Sequence, residues 1–255
     1  MDVIEGIDAL RPELGPVFVV VGVFDGLHRG HTYLLEHLVS ESRARDARAT
    51  VITFDHHPDE ILVGKAPPLL LDPAERLERL AAAGVDVTVV QHFDAALRQT
   101  PYDVFIERLR ARVTVTGFLM TPDAAFGFER LGTPAALAEL GRRDGFDVVV
   151  VPPFRLDGQD VRSSAIRDAI AVGDLAAAAR FLGRPVTVSG VLGRPVDGAA
   201  RLHTALPIAL PPDGDYPAVA DGTPRILRIA GGDPWLTEGV ANERVTVVLD
   251  AGRAS

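Results

Sequence analysis

The chain predicts a doubly wound α/β protein, a parallel sheet with helices on both faces, followed by a small C-terminal β-rich region. Three observations carry that prediction. A β-branched run without polar alternation fills residues 17–23, four further apolar runs follow it with helical stripes between them, and the alternation stops after Pro152-Pro153. Strands buried on both faces read as continuous apolar runs, and parallel neighbours need crossover connections whose helices cover the sheet.

After strand 17–23, a helical stripe of Tyr33, Leu34, Leu35, Leu38 and Val39 runs to about Arg45, and residues 49–54 form the second strand. Asp72-Pro73 combines an N-cap with proline at the first helical position and leads through Arg76, Leu77 and Leu80 to a stop at Gly84. Residues 85–90 are the third strand. Thr100-Pro101 caps a helix with Phe105, Ile106 and Leu109, and 113–118 is the fourth strand. Thr133-Pro134 opens a helix containing Leu137 and Leu140, before a fifth strand at 146–151. Two short helices, 164–171 and 174–182, end at Gly183-Arg184-Pro185. Short β-like pieces follow at 186–191, 205–210, 225–229 and 244–249, with a turn cluster at 211–215. The expected domains are therefore 1–185 and 186–255, the second near the size at which an independent core becomes marginal.

Composition excludes several functions. Of 255 residues, 47% are hydrophobic and 24% charged, so the chain can bury a core. Lys and Arg number 26 against 35 Asp and Glu, a formal charge of −9, which argues against sequence-independent binding to nucleic acid or an anionic membrane. Cysteine is absent, which removes disulfides, thiolate metal sites and cysteine nucleophiles. The early apolar run stops at Asp25, too short to cross a bilayer, and residues 1–10 lack a secretion-signal pattern, so a cytoplasmic protein is expected.

The strongest chemical signal is Gly22-Val23-Phe24-Asp25-Gly26-Leu27-His28-Arg29-Gly30-His31, at the C-terminal end of the first strand. Ligands in open α/β sheets bind outside those strand ends. Two histidines flanking a glycine at a helix start can direct nitrogens at a phosphate, and the free N–H groups and helix dipole favour the same anion. The segment resembles the HxGH nucleotidyltransferases, and its extended GxFDGxHxGH form resembles the FAD synthetase domain of the bacterial bifunctional riboflavin kinase/FAD synthetase family. That resemblance implies a Rossmann-like nucleotidyltransferase fold, with His28 and His31 stabilising phosphate charge as AMP leaves ATP.

Three more segments follow in the family's order. Thr53-Phe54-Asp55-His56-His57-Pro58 is similar to TFDPHP, with His56 where the first proline stands, and places His57 at the flavin and nucleotide cleft. The stretch from Asp123 to Gly132 is similar to DFRFGxxRxG: Asp123, Phe126, Gly127, Arg130 and Gly132 match, while Ala124 and Ala125 replace an aromatic residue and an arginine. Val161-Arg162-Ser163-Ser164-Ala165-Ile166-Arg167 resembles ISSTxIR, with hydroxyls at a helix start and an arginine suited to a triphosphate. The resemblance implies His28, His31 and Arg167 as catalytic residues. It implies Gly22, Phe24, Asp25, Gly26, Gly30, Asp123, Ser163 and Ser164 around ATP, and His57, Phe126, Gly127 and Arg130 around FMN. ATP would come with Mg2+, whose ligands the sequence does not assign, and FMN and FAD would be substrate and product. No nucleic-acid or membrane partner is implied, and oligomeric state is not encoded legibly.

Past Val191 the resemblance fades. Gly190-Val191-Leu192-Gly193-Arg194 is similar to the first strand of the family's riboflavin kinase barrel, and Leu210-Pro211-Pro212-Asp213-Gly214-Asp215-Tyr216 to its LPPxGVY turn. His203-Thr204-Ala205-Leu206 contains no PTAN, and residues 243–250 leave little room for the rest of a barrel. A shortened, kinase-inactive region is expected. Two alternatives to FAD synthesis stay open: adenylylation of another phosphomonoester, motivated by Ala124-Ala125, and a catalytically silent flavin- or nucleotide-binding paralogue. A dinucleotide oxidoreductase is disfavoured, because the turn lacks GxGxxG.

Overall fold

The structure, a computed structural model, describes residues 1–195, 197–237 and 241–250. Residues 251–255 of the second expected domain lie outside the described residues. Two compact units divide the chain: the first comprises 1–24, 31–67 and 77–154, the second 25–30, 68–76 and 155–255.

The first unit is built on a six-stranded sheet of β1 (Asp2–Glu5), β2 (Val17–Val21), β3 (Arg48–Phe54), β4 (Val87–Gln91), β5 (Val115–Met120) and β6 (Asp147–Val150). Strand order is β1-β4-β3-β2-β5-β6, and every neighbouring pair is parallel. Five strands were expected, and the sixth, β1, is the correction. It is short and polar at both ends, Asp-Val-Ile-Glu, and only Ile4 is shielded from solvent, so it lacks the continuous apolar run that marks the inner strands. By contrast β2 and β3 are buried along almost their whole length. Val17, Val19, Ile52, Val87, Val89 and Phe118 form the core with Phe105, Ile106 and Leu109 of α5 (Tyr102–Arg110) and Leu137 and Leu140 of α6 (Pro134–Asp144). The remaining helices of the α/β region are α1 (Arg29–Arg43), α2 (Asp59–Leu62), α3 (Pro73–Ala82) and α4 (Ala95–Arg98).

Two of the three expected caps form. Thr133 accepts the Ala136 N–H and Asp72 accepts the Ala74 N–H. Thr100 does not cap α5: its hydroxyl donates to the Ala96 carbonyl at the end of α4, and Pro101 stands at the cap position. A β2→β3→β4 path to one side and β5→β6 to the other puts the reversal of strand order between β2 and β5. That switch point, at the C-terminal strand ends, is where doubly wound sheets open a ligand crevice.

In the second unit a two-stranded ribbon, β7 (Arg155–Leu156) and β8 (Gln159–Asp160), precedes α7 (Ser163–Ala171) and α8 (Leu175–Leu182). Asp174 caps α8 by accepting the Ala177 N–H, and Gly183, in the left-handed region, ends it. Six strands then close into an antiparallel barrel: β9 (Thr187–Leu192), β10 (Ala199–His203), β11 (Gly214–Ala220), β12 (Thr223–Ala230), β13 (Asp233–Thr237) and β14 (Arg244–Leu249). Inward residues alternate along the strands, as with Val245, Val247 and Leu249 on β14.

The barrel corrects two expectations. Residues 243–250 supply the closing strand, since β14 pairs with both β9 and β11. Residues 205–210 are not a strand. They cross Leu69 at a single bridge, where Leu69 N–H donates to the Pro207 carbonyl and Ala209 N–H to the Leu69 carbonyl, and Pro207 itself has no N–H for a ladder. Among the described residues, no helix is long and apolar enough to cross a membrane.

Candidate active site

The switch point gathers two of the sequence motifs within the first unit. From β2 the chain leaves through Gly22, whose N–H donates to the Ile52 carbonyl at 3.0 Å. Phe24 then takes a left-handed φ of 53° and lays its ring 5.1 Å from that of His31, in the first turn of α1. A Cβ at Gly22 would come within 3.1 Å of the Phe24 ring, so glycine spares that ring a small displacement. Thr53 steadies the turn by donating to the Val23 carbonyl at 3.0 Å.

From the end of β5 comes the second motif. The Thr121 hydroxyl donates to Asp123, and Arg130 donates weakly to the Asp123 carbonyl at 3.4 Å, so both ends of the loop are tied. Phe126 and Gly132 bridge its neck by reciprocal backbone hydrogen bonds. At Gly127, φ is 78° and a Cβ would lie 2.6 Å from the Tyr102 backbone nitrogen, which fixes glycine on two counts. Phe126 packs edge-on against Phe105 and beside Phe118, so its ring anchors the loop in the core. Arg130 is exposed with a φ of 57°, held in a conformation that non-glycine residues adopt at a cost of about 1 kcal/mol or more. His57 follows the end of β3. Its Nδ1 accepts the Asp59 N–H at 3.2 Å, which leaves the proton of a neutral ring on Nε2.

Within the second unit the residues of the glycine-rich turn meet the segment around α7. Asp25 is 3% exposed and fully engaged: Oδ1 accepts the Leu70 N–H at 2.8 Å, Oδ2 the Arg167 guanidinium at 2.6 Å, and its carbonyl the Ser163 hydroxyl at 3.1 Å. Arg167 also donates through Nε to the Pro68 carbonyl at 2.8 Å. Two fixed points hold the guanidinium plane. Gly26, at φ 79°, has no room for a side chain beside Leu70, whose nearest carbon would be 2.9 Å from a Cβ. Gly30 lets the helix start pass the His28 ring, 3.2 Å from where a Cβ would stand. Ser163 begins α7 but spends its hydroxyl on Asp25, while Ser164 is exposed and makes no hydrogen bond through its side chain among the described residues.

His28 is 5% exposed. Burial first, then the positive charges of Arg184 and Arg167, push its imidazole down from 6.5 to about 4, against a smaller upward pull from a backbone hydrogen bond. The ring is therefore neutral at pH 7. Between pH 6.5 and 4 the unfolded chain holds a proton there that the folded chain refuses, so stability falls as pH drops through that window. The loss attributable to His28 is about 3 kcal/mol. Urea unfolding of the His28→Asn chain should lose that much less stability than the parent between pH 7 and pH 4, and equal losses in both would refute the assignment.

Arg184, absent from the expected set, also holds the glycine-rich turn. Its Nη2 donates to the Gly26 carbonyl at 2.7 Å, and its charge bears on His28. The signal lay in Leu182-Gly183-Arg184-Pro185, legible as a helix stop and less so as a clamp on the turn. The carboxylates do not form a magnesium cage: Asp25 is committed to Leu70 and Arg167, and Asp123 is exposed on its loop.

A family model for FAD synthetase matches residues 11–165. The bifunctional riboflavin kinase/FMN adenylyltransferase of Haemophilus influenzae is 34% identical over 192 residues, covering 74% of this chain and 62% of that protein. The protein of the same name from Escherichia coli K12 is 36% identical over 198 residues with the same shares. The chain therefore spans less than two thirds of the length of these relatives. A crystal structure described as a macrolide-efflux protein from Streptococcus pneumoniae matches with a TM-score of 0.80 at 22% identity, covering 97% of this chain and 88% of that one, a likeness of fold.

Proposed function

The chain belongs to the FAD synthetase family, and from that premise we propose that it transfers AMP from ATP to FMN, releasing pyrophosphate and FAD. One observation carries the reading: the turn bearing Gly22 and Phe24 and the loop bearing Asp123 to Arg130 both leave the sheet at the switch point between β2 and β5, where a nucleotide is expected.

In this reading an FMN phosphate oxygen attacks the α-phosphorus of ATP in line, the bond to the β-phosphate oxygen breaks, and pyrophosphate leaves. A phosphate dianion is already a nucleophile near pH 7, so the chain's task is positioning and charge stabilisation. The His28 and His31 imidazoles donate to phosphate oxygens. N–H groups at the start of α1 face the same anion. Arg167 offers phosphate its remaining guanidinium N–H groups, with Nε and Nη2 held by Pro68 and Asp25 so that the plane is set before substrate arrives. Gly22, Phe24, Asp25, Gly26, Gly30, Asp123, Ser163 and Ser164 are assigned to ATP, and His57, Phe126, Gly127 and Arg130 to FMN.

The functional boundary is placed at residue 185, since all four motifs precede it. Beyond it we assign no riboflavin kinase activity, because His203-Thr204-Ala205-Leu206 stands where a PTAN segment would bind ATP. Incubation with MgATP and either FMN or riboflavin, followed by chromatography of the flavins, tests both statements. FAD from FMN and no product from riboflavin is expected. FMN formed from riboflavin would overturn the second statement; bound FMN without FAD would overturn the first and favour the silent paralogue.

A further inference from the structure

We propose that Asp55, His56 and His92 form a binding site for a borderline transition-metal dication such as Zn2+, separate from the nucleotide's magnesium. β3 and β4 are paired through Phe54 and Gln91, and Asp55 N–H continues the pairing by donating to the Gln91 carbonyl at 3.2 Å. Asp55-His56 and His92 therefore leave adjacent strand ends side by side. One nitrogen from each histidine and one Asp55 oxygen all lie within 4.8 Å of one another. His92 Nδ1 is 2.5 Å from Asp55 Oδ2, and His56 Nδ1 is 3.2 Å from Oδ1.

The carboxylate is the fixed member. Its Oδ1 accepts the backbone N–H groups of His56 at 2.8 Å and Phe93 at 3.1 Å, a supporting shell that leaves Oδ2 to act as ligand. Phe54 and Phe93 pack edge-to-face, with ring centroids 5.2 Å apart, and fix the backbone at this strand pair. The histidines are the adjustable members: their side chains are 44% and 64% exposed and can rotate without disturbing the core. A tetrahedral ion at about 2.1 Å needs donor atoms about 3.4 Å apart, so the widest separation must close by up to about 1.4 Å while the His92–Asp55 pair, now 2.5 Å apart, opens by about 0.9 Å.

Two imidazoles and one carboxylate suit zinc, nickel or copper and not magnesium, which takes oxygen donors. Three protein ligands leave a fourth position for water or an anionic oxygen. His56 also stands where the TFDPHP pattern has proline. The inference does not rest on the FAD-forming reading.

Titration of the metal-stripped full chain with Zn2+ in a non-coordinating buffer with millimolar Mg2+, read by calorimetry, tests it apart from activity. One Zn2+ per chain is expected, with affinity reduced roughly tenfold or more in both His56→Pro and His92→Ala, because loss of a direct ligand should exceed loss of a supporting contact. Both positions are surface-exposed, and unchanged circular dichroism will show that the variants fold. No Zn2+ uptake, uptake equal in parent and variants, or displacement by Mg2+ would overturn the proposal.

Discussion

His31→Ala should lower kcat for FAD formation by roughly 10²–10³-fold, about 3–4 kcal/mol of lost transition-state stabilisation, while FMN binding changes little. The phosphate oxygens gain their charge as the α-phosphorus bonds rearrange, so a donor aimed at them acts most strongly at that point and less in the ground state. His28→Asn should produce a fall of similar size. The two rings are held differently. His31 is braced by the Phe24 ring, 5.1 Å away, whereas His28 is kept neutral by burial and by Arg184. Steady-state kinetics separates the possibilities: a raised KM for ATP with unchanged kcat would show that the histidines contribute uniform binding, and would sink the assignment of both as catalytic.

Much of the α/β region was legible because burial on both faces writes itself into the chain. Val17 to Val21 is an unbroken apolar run, and Arg48 to Phe54 is rich in β-branched residues and buried at every position between its ends. Edges are harder. β1 needs only one shielded residue to dock on β4, so its four residues carry almost no period. The barrel shows a second limit. Asp221-Gly222 joins β11 to β12 and Gly231-Gly232 joins β12 to β13, all four with positive φ, the type I′ pattern that favours tight hairpins. Those dipeptides were available as hairpin signals, but Pro217, Pro224 and Pro234 within the flanking strands weakened the strand reading around them. Residues 205–210 failed the other way: an apolar run suggested a strand, and its partner is one residue, Leu69, far away in sequence.

At the candidate site, motif spacing identified the residues but not their partners. Asp25 was expected among the residues around ATP. In the structure it is the buried counterion of Arg167 and the acceptor of the Leu70 N–H, a role that depends on segments separated by 45 and 142 positions. Spacing alone carries no information about such contacts. Phe126 likewise kept its place in the motif while its ring turned out to pack on Phe105 and Phe118.

That pairing of Asp25 has a large energetic consequence. Asp25→Ala strips the counterion from Arg167, whose side chain is only 16% exposed, and leaves the buried Leu70 N–H without its acceptor. Removing one partner of a buried pair costs about 3–5 kcal/mol, because the remaining charge stays desolvated. Asp25→Asn keeps an oxygen for Leu70 and should cost less. Arg167→Met leaves the Asp25 carboxylate buried, yet the double change Asp25→Ala with Arg167→Met removes both charges together. Chemical unfolding of the four chains should therefore give single losses that exceed the double loss when summed, with a coupling of about 1–3 kcal/mol. Additive losses would mean that the ion pair contributes nothing beyond its separate side chains. The same Asp25→Asn chain should also lose FAD-forming activity, since Arg167 would keep its Pro68 contact but not the second point that fixes its plane. Full activity in that variant would show that Arg167 needs no such positioning.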